Sequence, residues 1–93
     1  MTQNQKKTIE NEFFNYATSD NALWKAVFEN TLKKFKWERE ELVMKKRFIE
    51  KKQRYNICRE LQIPKRTYYL YLNRIYETAF MWAVELKVLG GQN

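Results

Sequence analysis

Pro64 is the only residue before position 90 that a helix interior cannot readily carry, because the chain has one proline and no earlier glycine. Proline fixes its own φ, lacks a backbone N–H and pushes the preceding residue toward extended geometry. On both sides of Pro64 the apolar residues recur at helical spacing. Ile57, Leu61 and Ile63 lead up to it. Tyr68, Tyr71 or Leu72, Ile75, Ala79, Trp82 and Leu86 follow at steps of three and four. Such steps trace one face of a 3.6-residue helix. The stretch from Arg54 to Leu86 therefore reads as a short helix, a tight turn over Leu61-Gln62-Ile63-Pro64, and a long second helix. Cys58, small and directly after Ile57, falls where two crossing helices approach most closely.

The rest of the chain fits the same scheme. Gly and Pro total three residues, aromatics make up 16%, and no segment alternates strictly between apolar and polar. The expected fold is all-α, a small helical bundle with a C-terminal helix-turn-helix and a long recognition/C-terminal helix. Residues 1–8 are polar and expected to fray. Ile9, Phe13, Tyr16 and Ala17 predict a first helix near 8–17, and Thr18-Ser19-Asp20-Asn21 offers side-chain oxygens to cap a second. That second helix starts at Ala22 and carries Leu23, Trp24, Val27, Phe28, Leu32 and Phe35. Trp37, Glu41, Met44 and Phe48, flanked by Leu42, Val43 and Ile49, predict a third near 37–50, separate from the second or continuous with it. The organisation expected is an N-terminal helical segment over 1–36, used for packing or interaction, and a helix-turn-helix region over 37–89. A disordered tail over 90–93 follows, with Gly90-Gly91 stopping the last helix.

Composition narrows the chemistry. There is no histidine and one cysteine, which excludes an intrachain disulfide and any zinc site built from Cys and His. With no histidine base, no Gly-rich phosphate loop and no acidic cluster suited to two metals, the chain is not expected to be an enzyme or to hold a cofactor or metal. No apolar run approaches the roughly 20 residues that span a membrane, and the polar start MTQNQKKTIENE is no secretory signal. The expectation is a cytoplasmic protein of the cell that makes it.

The net charge of +7 is unevenly placed. Residues 1–32 and 75–93 each carry one net negative charge, whereas 33–74 hold fourteen Lys/Arg against five acids. The surplus sits on the helix-turn-helix candidate and points to a polyanion, nucleic acid ahead of membrane. Lys51, Lys52 and Arg54, after Lys45-Lys46-Arg47, are candidates to grip phosphates. Lys65, Arg66, Thr67, Tyr69, Asn73 and Arg74 form the polar remainder of the second helix. Arg66 is placed to reach guanine, the alternative being a phosphate or a surface position, and Asn73 to reach adenine. Tyr69 meets a thymine methyl or a phosphate, or packs on a neighbouring helix, and Arg74 contacts the backbone or solvent rather than a base.

Residues 54–88 resemble the ArpU/RinA-type regulators of phages and related elements in Gram-positive bacteria. The resemblance rests on Tyr55, Ile57, Cys58, Leu61 and Ile63, then Arg66-Thr67-Tyr68-Tyr69, then Phe80, Ala83 and Leu86. The same segment is similar to region 4 of bacterial sigma factors. About a third of the chain is covered. The resemblance implies a DNA-binding activator of late phage or mobile-element genes in a bacterial host cell. Two positions depart from the pattern: Gln62 stands where the turn often has glycine, and Pro64 where the second helix often has a serine cap. The first departure predicts a left-handed Gln62 or a different turn.

A second apolar stripe, Leu70, Tyr76, Phe80, Met81, Val84 and Val88, widens the long helix beyond what one small core needs. It predicts a homodimer face or a docking surface for RNA polymerase over 76–89, unless the N-terminal helices fold over it. Beside the transcriptional regulator binding double-stranded DNA stand two other readings. One is a helical interaction module that modulates another regulator or RNA polymerase. The other is a DNA binder like the small subunit of a phage terminase.

Overall fold

The computed structural model describes residues 1–89, all of whose regular structure is helical; the expected tail at 90–93 lies outside them. Five α-helices run in order: α1 (Gln3–Phe14), α2 (Ala22–Lys34), α3 (Arg39–Met44), α4 (Arg54–Leu61) and α5 (Lys65–Glu85). A 3₁₀ turn (Tyr16–Thr18) joins α1 to α2, and a π turn (Lys45–Ile49) extends α3. This is the small all-α bundle expected. No helix among the described residues is long and apolar enough to cross a membrane.

The amino terminus is helical rather than frayed. Thr2 accepts from the Gln5 backbone N–H while the Gln5 side chain accepts from the Thr2 N–H, at 3.1 and 2.8 Å. This capping box satisfies two otherwise orphaned donors. The result is a helix five residues earlier than apolar spacing suggests. Asn21 caps α2 as expected, its Oδ1 accepting from Leu23 and Trp24 N–H.

Helices here end without glycine. Trp37, Lys51, Gln62 and Lys87 all have positive φ, from 55° to 72°. Trp37 separates α2 from α3, so the expected third helix begins only at Arg39. The Trp37 side chain stands 86% exposed, and Leu42 and Ile49 are exposed too, while Val43, Met44 and Phe48 are buried. The last helix stops at Glu85, not at the glycines. The N–H groups of Lys87 and Val88 turn back to the carbonyls of Val84 and Ala83 at 3.0 and 2.9 Å, a Schellman ending with lysine in the left-handed position.

Both α1 and α2 pack on α5, and an aromatic cluster joins them. The Phe13 ring meets Phe28 and Phe48 edge-on at 4.9 and 5.4 Å, and Tyr16 stacks on Phe28 at 4.1 Å. Such pairs add about 0.5–1.5 kcal/mol each beyond burial. The buried face of α5 runs through Tyr68, Leu72, Ile75, Tyr76, Ala79 and Ala83. This places Leu72 rather than Tyr71 in the core, with Tyr71 half-buried. Trp82, expected in the core, lies one step off that line and is 37% exposed. Of the second stripe, Tyr76 is buried in the core, Phe80 and Val88 pack partly buried against it and Val84 is half-buried, while Leu70 and Met81 stand exposed.

Candidate nucleic-acid interface

The sequence Leu61-Gln62-Ile63-Pro64 makes the turn between α4 and α5. Gln62 adopts φ 55°, ψ 49°, the left-handed option expected from its position. Its N–H and that of Ile63 donate to the carbonyls of Arg59 and Cys58 at 3.3 and 3.0 Å. From α3, Arg39 Nη2 donates to the Leu61 carbonyl at 2.6 Å, closing another orphaned acceptor at the end of α4. Pro64 is the N-cap residue of α5, extended at φ −74°, ψ 161°. Ile57 and Leu61 of α4 and Tyr68, Leu72 and Ile75 of α5 are buried together in one core. Cys58 and Ile63 pack at its margin. The result is a helix-turn-helix whose second helix keeps its opposite face in solvent.

That opposite face starts with Lys65. Arg66, Tyr69 and Asn73, at helical steps i, i+3 and i+7, are all exposed. Among the described residues, Lys65 and Arg66 engage no carboxylate and no hydrogen-bond acceptor. Both occupy the first turn of a 21-residue helix with no acidic residue there. The positive helix end disfavours cations until an anion arrives. Thr67 is half-buried beside them.

Tyr69 is held from α4: its hydroxyl accepts from Arg54 Nη1 at 2.9 Å, and the guanidinium lies 5.8 Å from the ring centroid. The phenol hydrogen bond raises the Arg54 pKa, favouring its charged form further. Asn73 Oδ1 accepts a long 3.5 Å bond from Lys6 Nζ. The groove-reading candidates are therefore open to solvent, and α1 reaches them through the Lys6–Asn73 hydrogen bond.

Three other predicted phosphate ligands are engaged by the chain itself. Lys51 Nζ donates to the Phe14 carbonyl and lies 5.2 Å from the Phe14 ring centroid. Lys52 pairs with Glu60 at 2.7 Å and Glu50 at 3.4 Å, and Lys46 reaches Glu60 at 2.8 Å. Hydrogen bonds from Lys46 and Lys52 hold the Glu60 carboxyl at about 2, below its usual 4.5. Arg74 pairs with Glu40 at 3.1 Å, and Glu40 is buried.

Beneath the exposed face lies a polar knot. Arg47, from the π turn, donates to the Tyr68 hydroxyl at 2.9 Å and forms an ion pair with Glu10 of α1. The Tyr76 hydroxyl donates to the same Glu10 carboxylate at 3.3 Å. Burial pushes the Tyr68 and Tyr76 phenols up, outweighing the opposing pull of Arg47. The knot ties α1, the π turn and α5 to one another.

An open cleft of about 550 Å³ runs between α1 and α5 above this knot. Lys6, Lys7, Arg54, Tyr69 and Asn73 line its solvent side. Arg47, Glu10, Tyr68 and Tyr76 line its inner side. Lys6 and Lys7 were not among the sequence candidates, because they lie more than sixty residues from Asn73 and only the fold brings them close. Comparison of the chain with protein-family models, curated proteins and solved structures gives no match.

Proposed function

We propose that this protein is a sequence-specific DNA-binding regulator of transcription, of the phage or mobile-element activator type that residues 54–88 resemble. In this reading α5 enters the major groove, Arg66 and Asn73 read base edges, and Lys65 and Tyr69 contact the backbone or a thymine methyl. The observation that carries it is the two-sided character of α5. One face is buried in the core, while Lys65, Arg66, Tyr69 and Asn73 stand exposed beyond a left-handed turn.

Selection from a random duplex pool, followed by gel-shift titration of the enriched sequence, tests the reading. The enriched duplex binds with affinity that falls steeply as salt rises, through counterion release. Arg66→Ala removes about 1–3 kcal/mol of discrimination at one base position and leaves binding to random DNA nearly unchanged. No enrichment and no binding even at low salt overturns the reading. An Arg66→Ala variant with intact preference removes that residue's role.

A second reading, a helical interaction module acting on RNA polymerase or another regulator, is favoured by Met81, 70% exposed on α5 beyond the groove-facing turn, and by Trp37. A homodimer through residues 76–89 is a version of it. Sedimentation showing a monomer across a broad concentration range removes the dimer.

A further inference from the structure

We propose that the cleft between α1 and α5 is a clamp for the phosphodiester backbone of one DNA strand, with Lys6 and Lys7 as its outer jaw. The inference rests on the DNA-binding reading above and gives the N-terminal helix a part in it.

The geometry starts from the width of the groove. A helix with its side chains is about 10–12 Å across, and the major groove is about 12 Å wide. One helix fills it. A second helix packed alongside lies about 8–10 Å away, beyond the groove floor and over the phosphate ridge. Here α1 is that second helix: it packs on α5 and lines one cleft with Tyr69 and Asn73. Lys6 Nζ reaches Asn73 Oδ1, so the jaw adjoins the recognition face. The opposite wall is Arg54, fixed on Tyr69 by the 2.9 Å bond to its hydroxyl. A strand seated between them meets ammonium groups from one side and a guanidinium from the other.

The electrostatics agree. Lys6, Lys7, Arg47 and Arg54 line the cleft against one carboxylate, that of Glu10. Glu10 is already neutralised by Arg47 and accepts from Tyr76, so the mouth of the cleft keeps its positive charge. Lys7 is exposed and, among the described residues, pairs with no carboxylate. Lys51, Lys52 and Arg74 are held by acceptors of the chain, so the backbone contacts the sequence assigned to them pass to α1.

The test is the salt dependence of binding by Lys6→Gln/Lys7→Gln on the enriched duplex and on random duplex. Lys33→Gln/Lys34→Gln serves as a variant of equal charge away from the cleft, and thermal melting confirms that both variants fold. Each phosphate contact contributes about 0.9 to the slope of log affinity against log salt. The cleft variant is expected to lower that slope by about 1–2 and to weaken both duplexes by the same factor. The control variant is expected to keep the original slope. If the unaltered protein binds and discriminates through Arg66 but the cleft variant keeps its slope, the clamp is overturned while the DNA-binding reading stands. A cleft variant that instead changes sequence preference overturns the clamp in favour of base contact. Tight, saturable binding of inorganic phosphate that blocks DNA overturns it in favour of a small-anion site. If the unaltered protein binds no DNA, the reading beneath the clamp fails first.

Discussion

The cations from Arg39 to Lys52, with Arg74, and those around the mouth of the α1–α5 cleft and the start of α5 are alike in the sequence and unlike in the fold. In the first region Lys46, Arg47, Lys52 and Arg74 each sit against a glutamate, and Arg39 and Lys51 donate to backbone carbonyls. At the cleft mouth and the start of α5, Lys7, Lys65 and Arg66 are exposed, with no acceptor among the described residues. Partnered cations tie one element to another: Arg47 joins the π turn to α1 and α5, Arg74 joins α5 to α3, and Lys46 and Lys52 join the π turn and its exit to α4. Unpartnered ones leave their field in solvent, where a polyanion feels it. A surplus of positive charge in a sequence is therefore an upper limit on the charge that a partner meets. The partners decide how much of it remains.

The largest break of this contrast is expected at Arg47. Replacing it with Met leaves the Glu10 carboxylate without its cation and the Tyr68 hydroxyl without its donor. Both Glu10 and Arg47 retain some solvent contact, so screening reduces the cost below that of a fully buried pair, to about 2 kcal/mol. For a domain of this size that is a fall in melting temperature of roughly 8–16 °C. Lys65→Met removes an equal charge from the exposed set and is expected to stay within about 0.5 kcal/mol of the parent. Thermal unfolding of the two variants side by side decides it. Equal losses, or none from Arg47→Met, would erase the distinction between scaffold and surface cations.

A smaller effect is expected at the turn between α4 and α5. A non-glycine residue held in the left-handed region costs roughly 1–2 kcal/mol, and Gln62 is such a residue. Gln62→Gly relieves that strain but frees the unfolded chain, for a net gain of about 1 kcal/mol. Its side chain is exposed and, among the described residues, makes no hydrogen bond. The melting temperature is therefore expected to rise by a few degrees with no change in the face that α5 presents. A variant no more stable than the parent would mean that the turn is not strained at Gln62.

These two sites also mark where the sequence is readable. The turn was legible because proline acts on its immediate neighbours and the apolar steps around it are short-range. The exposure of Lys65, Arg66, Tyr69 and Asn73 followed from the same helical period. The start of α1 was written as Thr2-x-x-Gln5 but hidden by the polarity of its first turns. Trp37 and Lys51 end helices in a conformation that carries no residue signature in a chain without glycine there, so the break near position 37 and the π turn were not legible. Nor was the fate of Arg74, whose acceptor Glu40 lies 34 residues away, or the arrival of Lys6 beside Asn73 from 67 residues away. Local rules place the faces of helices. Which charges remain unmatched depends on packing between distant segments.

The finest resolution of the contrast comes from Glu60, the carboxylate that engages two of the partnered lysines. Its folded value of about 2 lies below the ordinary 4.5, so on acidification the unfolded chain takes up the proton first. Its stabilising contribution is complete above the unfolded value and is lost as pH falls from about 4.5 toward about 2. Glu60→Gln removes the titrating group. The variant is expected to melt slightly below the parent at pH 7 and to approach it at pH 2, so its curve of melting temperature against pH is shallower in that window. Added salt should narrow the gap at pH 7, because at 1 M the Debye length is about 3 Å and exposed pairs are screened. Curves that run parallel from pH 7 to pH 2 would mean that Lys46 and Lys52 are not bound to Glu60 in solution. Those two lysines would then rejoin the exposed set, and the field offered to a polyanion would extend from the cleft mouth across the π turn.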